Sequence, residues 1–403
     1  MRYVVAAALG ALLVGACSSE SPSPEQVAIP IDSDDIAGIV TSTAGPEAGV
    51  WVIAETNDLD TRFIRSVVTD DDGRYLVPDL PAGSYQIWVR GYGLVDSDKV
   101  AASPGQHLDL TAVVAPDAAA AAHFYPAAYW YAMMDLPTEE EVADLPGGMN
   151  YYLTWVKNMG CVGCHQLGNE LTRTIPEALA DVESSEQAWI RRISSGQAGN
   201  YMVRLAMQDL QGLPIKYMAD WTDRIAAGEL PSHIPERPTG IERNVVTTVR
   251  DWSSPQFYMH DLSGTDRRNP TVNAYGPLYG APELSTDEMP ILDPVANTAS
   301  IYNVPVRDED TPTTNEAPVH APSPYWGEER IWDSRSNIHN PMLDQDGRVW
   351  LTARIRGPEN PDFCREGSDH PSAILFPKDR TGRHLSVLDP ETGDYTFIDT
   401  CFS

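Results

Sequence analysis

The sequence predicts a multidomain chain: a β-sandwich, then an α-helical domain, then a second β-strand region. Three features carry that reading. Residues from about Ile36 to Ala115 alternate apolar and polar side chains between turn signals. From Leu145 apolar residues recur at helical spacing, and from Arg348 the period of two returns. With 403 residues, 42% of them hydrophobic, the chain has material for about two or three cores and is not a disordered polymer.

At the N-terminus, Arg2 precedes an apolar run from Val4 to Val14, too short to span a bilayer stably, and the run closes on Gly15-Ala16-Cys17. It reads as a signal peptide over residues 1–17. Val14-Gly15-Ala16-Cys17 resembles the lipobox of bacterial lipoproteins, which implies a lipidated Cys17 and a protein anchored in the cell envelope, on the periplasmic side or at the outer membrane. Residues 18–34, opened by serines and prolines, read as a flexible tether. The 28 Lys and Arg against 58 Asp and Glu give a net charge of −30. That sign excludes a nucleic-acid role and favours a partner with a basic docking face.

The sandwich, residues 35–115, holds the strand Val50-Trp51-Val52-Ile53-Ala54, the stretch Thr69-Asp70-Asp71-Asp72-Gly73-Arg74-Tyr75, and Leu80-Pro81-Ala82-Gly83-Ser84-Tyr85 leading into Gln86-Ile87-Trp88-Val89. The T-D-x-x-G-x-Y and L-P-x-G-x-Y stretches resemble the carboxypeptidase regulatory-like domain, a transthyretin-like sandwich grouped with carbohydrate-binding-like folds. The resemblance implies the fold and names carbohydrate as a partner to consider; fold alone assigns no ligand. Asp70, Asp71 and Asp72 suggest Ca²⁺ less economically than a hairpin turn.

Residues 116–144 read as a Pro/Ala-rich linker and 145–230 as the helical domain. Tyr152, Trp155, Val156 and Met159 predict a helix running into Cys161; Ser184 with Gln187 predicts a capping box ahead of Trp189, Ile190 and Ile193; Pro214 predicts a helix start before Met218, Trp221 and Ile225, with Gly228 past its end. These helices surround Cys161-Val162-Gly163-Cys164-His165. Two thiols three positions apart can each join a vinyl group of one haem, and the adjoining imidazole then serves as proximal iron ligand. A thioredoxin-like pair would want a βαβ context, and structural zinc would want further ligands at short spacing. The expected cofactor is one covalent haem c.

The surroundings resemble a small class I cytochrome c, with Gly168-Asn169 after the histidine and Ile175-Pro176 beyond. The resemblance implies that the Pro176 carbonyl receives the His165 imidazole N–H. It implies methionine as sixth ligand: Met202, behind the glycine-opened Gly199-Asn200-Tyr201, with Met207 in reserve, and Met218 and Met207 read as core by their helical spacing. Arg173 is either a propionate partner or a solvated surface residue. With Cys17 lipidated and the C-x-x-C pair assigned, Cys364 and Cys401 remain to bridge in an oxidising compartment. His260 and His339 read as hydrogen-bonded structural residues sooner than catalytic ones.

Residues 231–326, rich in proline and aromatics, predict an ordered extended wrap, and 327–403 return to strands. Asp389-Pro390-Glu391-Thr392-Gly393 turns one strand into the next and resembles blade hairpins of streptogramin (virginiamycin) B lyase-type β-propellers. One or two blades close no ring, so the tail reads as an incomplete propeller, a fragment of a longer protein or a different packing. Three functions follow: an exported electron-transfer cytochrome; a haem-containing propeller enzyme, lyase or oxidoreductase, whose active blades lie beyond this chain; and an envelope binding module for carbohydrate or protein.

Overall fold

A computed structural model describes residues 29–195, 198–265, 268–269, 271–313, 322–353 and 359–401. Cys17 and the lipobox lie outside the described residues. Among the described residues no helix is long and apolar enough to cross a membrane.

The first unit is a two-sheet β-sandwich. One sheet runs in the order Thr247–Arg250, Phe63–Val68, Trp51–Thr56, Tyr85–Arg90, Val100–Ala102, all antiparallel; the other centres on Ile36–Ser42, paired with Arg74–Val77. The alternation explains the layers: Tyr85, Ile87 and Val89 are fully buried, and Gln86 between them is exposed. Both motif tyrosines are core anchors with satisfied hydroxyls. Tyr75 donates to the Leu108 carbonyl at 2.6 Å and Tyr85 to the Pro81 carbonyl at 2.7 Å. The Asp70 turn is a hairpin device: its Oδ1 accepts the N–H groups of Asp72 and Arg74, and its Oδ2 accepts Arg74 Nε.

Residues 116–144 are more than a joint. They carry two short helices, Ala118–Ala122 and Ala127–Tyr131, and Trp130 is buried with its carbonyl accepting the Trp221 indole N–H at 2.8 Å. The helical core gathers Tyr152, Val156, Trp189, Leu210, Met218 and Trp221. Ser184 caps the helix Ser185–Ser194 by accepting the Gln187 N–H, while the Gln187 side chain turns to Glu183, so only half of the expected box forms. The helix Leu213–Ala226 carries Pro214 in its first turn, and Gly228, at φ +96°, follows its end. The expected continuous helix into Cys161 breaks: Gly148–Lys157 ends before Asn158, Met159 is 65% exposed, and a new turn starts at Cys161.

The proline-rich segment departs furthest from expectation. Its Thr247–Arg250 strand extends the sandwich sheet, with Arg250 over the Phe63 ring at 5.0 Å. Residues Asp261 to Asn303 then form a four-stranded antiparallel sheet instead of a wrap, and a second such sheet follows from Ile338–Leu343 through Val349–Ala353 and His384–Leu388 to Tyr395–Asp399. Proline at 290 and 294 did not forbid this. Pro294 sits in the turn, and Pro290 is tolerated within its strand, which pairs on the same partner through Met289, Ile291 and Leu292. The two sheets share one core of Tyr279, Met289, Ile338, Val349, Leu351 and Leu388. Asp287 ties them, accepting from the Ser334 and Ser336 hydroxyls and the Arg335 and Ser336 N–H groups. A disulfide joins Cys364 to Cys401.

Candidate functional site

Cys161–Cys164 is a single helical turn, so its first and last thiols stand on one face, and neither is disulfide-bonded. His165 leaves the turn extended, at φ −121° and ψ 135°, with an exposed surface. Protein on its inner side, and then the nearby Arg192, nevertheless hold its imidazole pKa below the ordinary value. Burial pushes the Cys161 thiol up to about 11, which suppresses the thiolate a redox or nucleophilic pair would need. Among the described residues no set of three metal-ligating atoms converges on these thiols, so the geometry does not supply a zinc cage either.

The flanking residues are placed differently from the sequence reading. Arg173 is 6% exposed; its guanidinium donates to the Gly168 carbonyl at 3.0 Å and lies 4.2 Å from the Trp130 ring centroid. It is therefore not the solvated surface residue of the second alternative. The Pro176 carbonyl accepts the Leu179 N–H at 2.9 Å, opening a short 3₁₀ turn. Met202 is half-buried on the helix Gly199–Val203, where the glycine-opened stretch was expected to escape helical geometry. Met207 is 39% exposed and not core, because the chain continues into a π-helical stretch, Arg204–Asp209. There Leu210 N–H reaches Leu205 O, five residues back, so Leu205 and Leu210 share the inner face and Met207 turns outward. Met218 is core.

Two residues were missed. Arg192, in Ser185–Ser194, donates to the carbonyls of Leu171 and Thr174 and lies 5.1 Å from the Trp189 ring centroid beside His165. Nothing in the sequence singled it out: it stands three residues after Trp189 on the same side of the helix, and the carbonyls it meets come from the 171–174 segment, which only the fold brings close. Tyr258, from the proline-rich segment, lies by the Cys164 thiol; burial and then that thiol raise its pKa.

Tyr258 leads to a second cluster. Its ring contacts His260 at 5.6 Å, and the His260 and His339 rings lie 4.4 Å apart although 79 residues separate them in sequence. Asp261 accepts from Asn340 N–H at 3.0 Å and lies 3.1 Å from each ring's Nδ1. Burial and then the Asp261 carboxylate act oppositely on His339, and burial prevails, lowering its pKa. A separate cleft of about 300 Å³, lined by Trp51, Tyr92, Glu236 and Glu242, lies between sandwich and wrap.

Residues 35–115 match the family model of the carboxypeptidase regulatory-like domain, and the N-terminal unit is such a domain. No curated protein matches the chain. Among solved structures, a chain of a type II cohesin–X-dockerin complex from Acetivibrio cellulolyticus is 18% identical over 20% of this chain and 58% of its own, at a TM-score of 0.16. At that score the likeness carries no argument.

Proposed function

We propose that this chain is an exported, lipid-anchored c-type cytochrome that passes single electrons through one covalently held haem. The observation that carries the reading is the turn Cys161–Cys164: two unbonded thiols on one face, with an exposed imidazole at the next residue. The domain also exposes Met159, Leu171, Tyr201 and Met207, apolar surface that a flat macrocycle would cover. Haem would supply a one-electron Fe(III)/Fe(II) couple there. Cys161 and Cys164 would hold it by thioethers and His165 by its imidazole. Arg192, not Arg173, offers positive charge beside that imidazole. Met202 remains the sixth ligand of this reading and Met207 its reserve, and Pro176 keeps a second carbonyl lone pair for the His165 N–H.

In the same reading, Cys17 carries the lipid, and the two C-terminal sheets are adjacent blades of a streptogramin lyase-like propeller. The His260–His339 cluster at their junction favours, as second reading, an enzyme with the haem as electron acceptor.

The test is expression in cells that mature c-type haem. A pyridine haemochrome of the thioether type is expected from the parent chain and not from Cys161→Ser/Cys164→Ser; a colourless matured preparation overturns the reading. Met202→Ala should abolish the weak red band of sulfur-to-iron ligation, and survival of the band moves the ligand to Met207.

A further inference from the structure

We propose that His260, Asp261 and His339 bind one divalent first-row transition-metal ion at the junction of the two C-terminal sheets, with Glu283 orienting His339. Asp261 Oδ2 lies 3.1 Å from His260 Nδ1 and 3.1 Å from His339 Nδ1, and the three ligand atoms all fall within 4.8 Å of one another. Atoms bound to one ion at about 2.1 Å stand about 3.0–3.5 Å apart, so only small side-chain adjustments separate this arrangement from coordination. Glu283, whose side chain is 9% exposed, places Oε2 3.5 Å from His339 Nε2. The same oxygen lies 3.8 Å from His260 Nδ1; in the proposed site a carboxylate there would favour the proton on His339 Nε2 and leave the Nδ1 lone pair for the metal, as the outer partners of metal-bound imidazoles do. Two imidazoles and one carboxylate suit zinc, iron, cobalt or manganese better than calcium or magnesium.

The backbone is shaped around this group. His339 stands between Asn337 and Asn340, both at positive φ, 44° and 50°, and the strand pairing shifts register just after it. The Asn340 N–H fixes Asp261 Oδ2 from behind, and the His260 N–H, donated to the Ala281 carbonyl, anchors its strand at the other side. His260 is exposed, so the outer coordination positions face solvent and would take water or a small anionic ligand.

The inference does not depend on haem. Zinc is added to the full chain, parent and Cys161→Ser/Cys164→Ser, and retained metal is counted after dialysis. One equivalent is expected in both, with a zinc-dependent rise in Tm, and at least tenfold weaker binding in His260→Gln and in His339→Asn. Cobalt(II) should give weak visible bands without an intense thiolate charge-transfer band. No retained zinc, an intense thiolate band that vanishes in the serine variant, or unchanged binding in His260→Gln overturns the proposal. His260 is exposed, so that variant keeps the test valid if His339→Asn does not fold.

Discussion

Asp344 shows how one carboxylate can organise a turn and leave a pH signature. Its Oδ1 accepts the Asp346 and Arg348 N–H groups, while Oδ2 accepts from Arg348 Nε and from the Trp350 indole at 2.9 Å. Burial alone would raise its pKa; the Trp350 and Arg348 donors and the backbone outweigh it and hold the group at about 2, from an ordinary 3.8. The folded pKa is depressed, so the stabilisation is present above 3.8 and drains away as pH falls through about 2. Asp344→Asn should cost about 1 kcal/mol at neutral pH after solvent screening. In urea titrations the gap between parent and variant should close between pH 4 and 2; a gap constant with pH would refute the assignment. Asp70 builds the same D-x-D-G-R turn in the sandwich, with Gly73 and Gly347 at φ 74° and 81°. The Asp70 turn was legible because Asp and Gly together favour a hairpin turn, whereas its counterpart at Asp344 was not singled out in the sequence. Arg173 was not legible either: a cation stacked inside on Trp130 has the same sequence appearance as one in solvent.

Among elements, the C-terminal sheet depends on a covalent tie. Cys364 and Cys401, 0% and 5% exposed, are 37 residues apart, and their bridge holds the 3₁₀ turn Asp362–Cys364 near the end of the chain just past the edge strand Tyr395–Asp399. Closing a loop of that length in the unfolded chain is worth about 4 kcal/mol in the chain-entropy model. Cys364→Ala/Cys401→Ala should lower the stability of this sheet by about that amount, with hydrogen exchange quickening in His384–Leu388 and Tyr395–Asp399 and little change in the sandwich. Equal quickening in both regions would contradict independent cores. The strands themselves were unevenly legible. Tyr395–Asp399 was visible through its D-P-x-T-G turn, whereas Glu288–Asp293 and Thr298–Asn303 were taken for a wrap, although Asp293-Pro294 and Asn297 mark a similar hairpin between them. Proline density hid the signal, because Pro290 lies inside a strand where the missing N–H argues against pairing. The π-helical stretch at Arg204–Asp209 likewise defeats any argument from a 3.6-residue period, and it is what exposes Met207.

For the whole molecule, charge and long-range contact matter together. Thr247–Arg250 reaches back to the sandwich, Arg237 pairs with the buried Glu47 at 2.5 Å, and Tyr258 touches the C-x-x-C turn, so the proline-rich segment connects all three regions. No local pattern carries such contacts; they join residues 79 to 190 positions apart, and for the same reason the His260–His339 pairing escaped the sequence. The net charge was legible at once, and it makes a prediction about encounter. A chain at −30 repels acidic redox proteins and attracts basic ones over distances set by the Debye length, about 10 Å at 0.1 M salt. If the chain carries haem as proposed, the second-order rate of its electron exchange with a small basic redox protein should fall about tenfold or more between low and 0.5 M salt in stopped-flow measurements. With an acidic partner the rate should rise over the same range. A rate indifferent to salt with both partners would mean that the acidic surface lies away from the site of electron entry, and docking would then rest on the apolar side chains Met159, Leu171 and Tyr201.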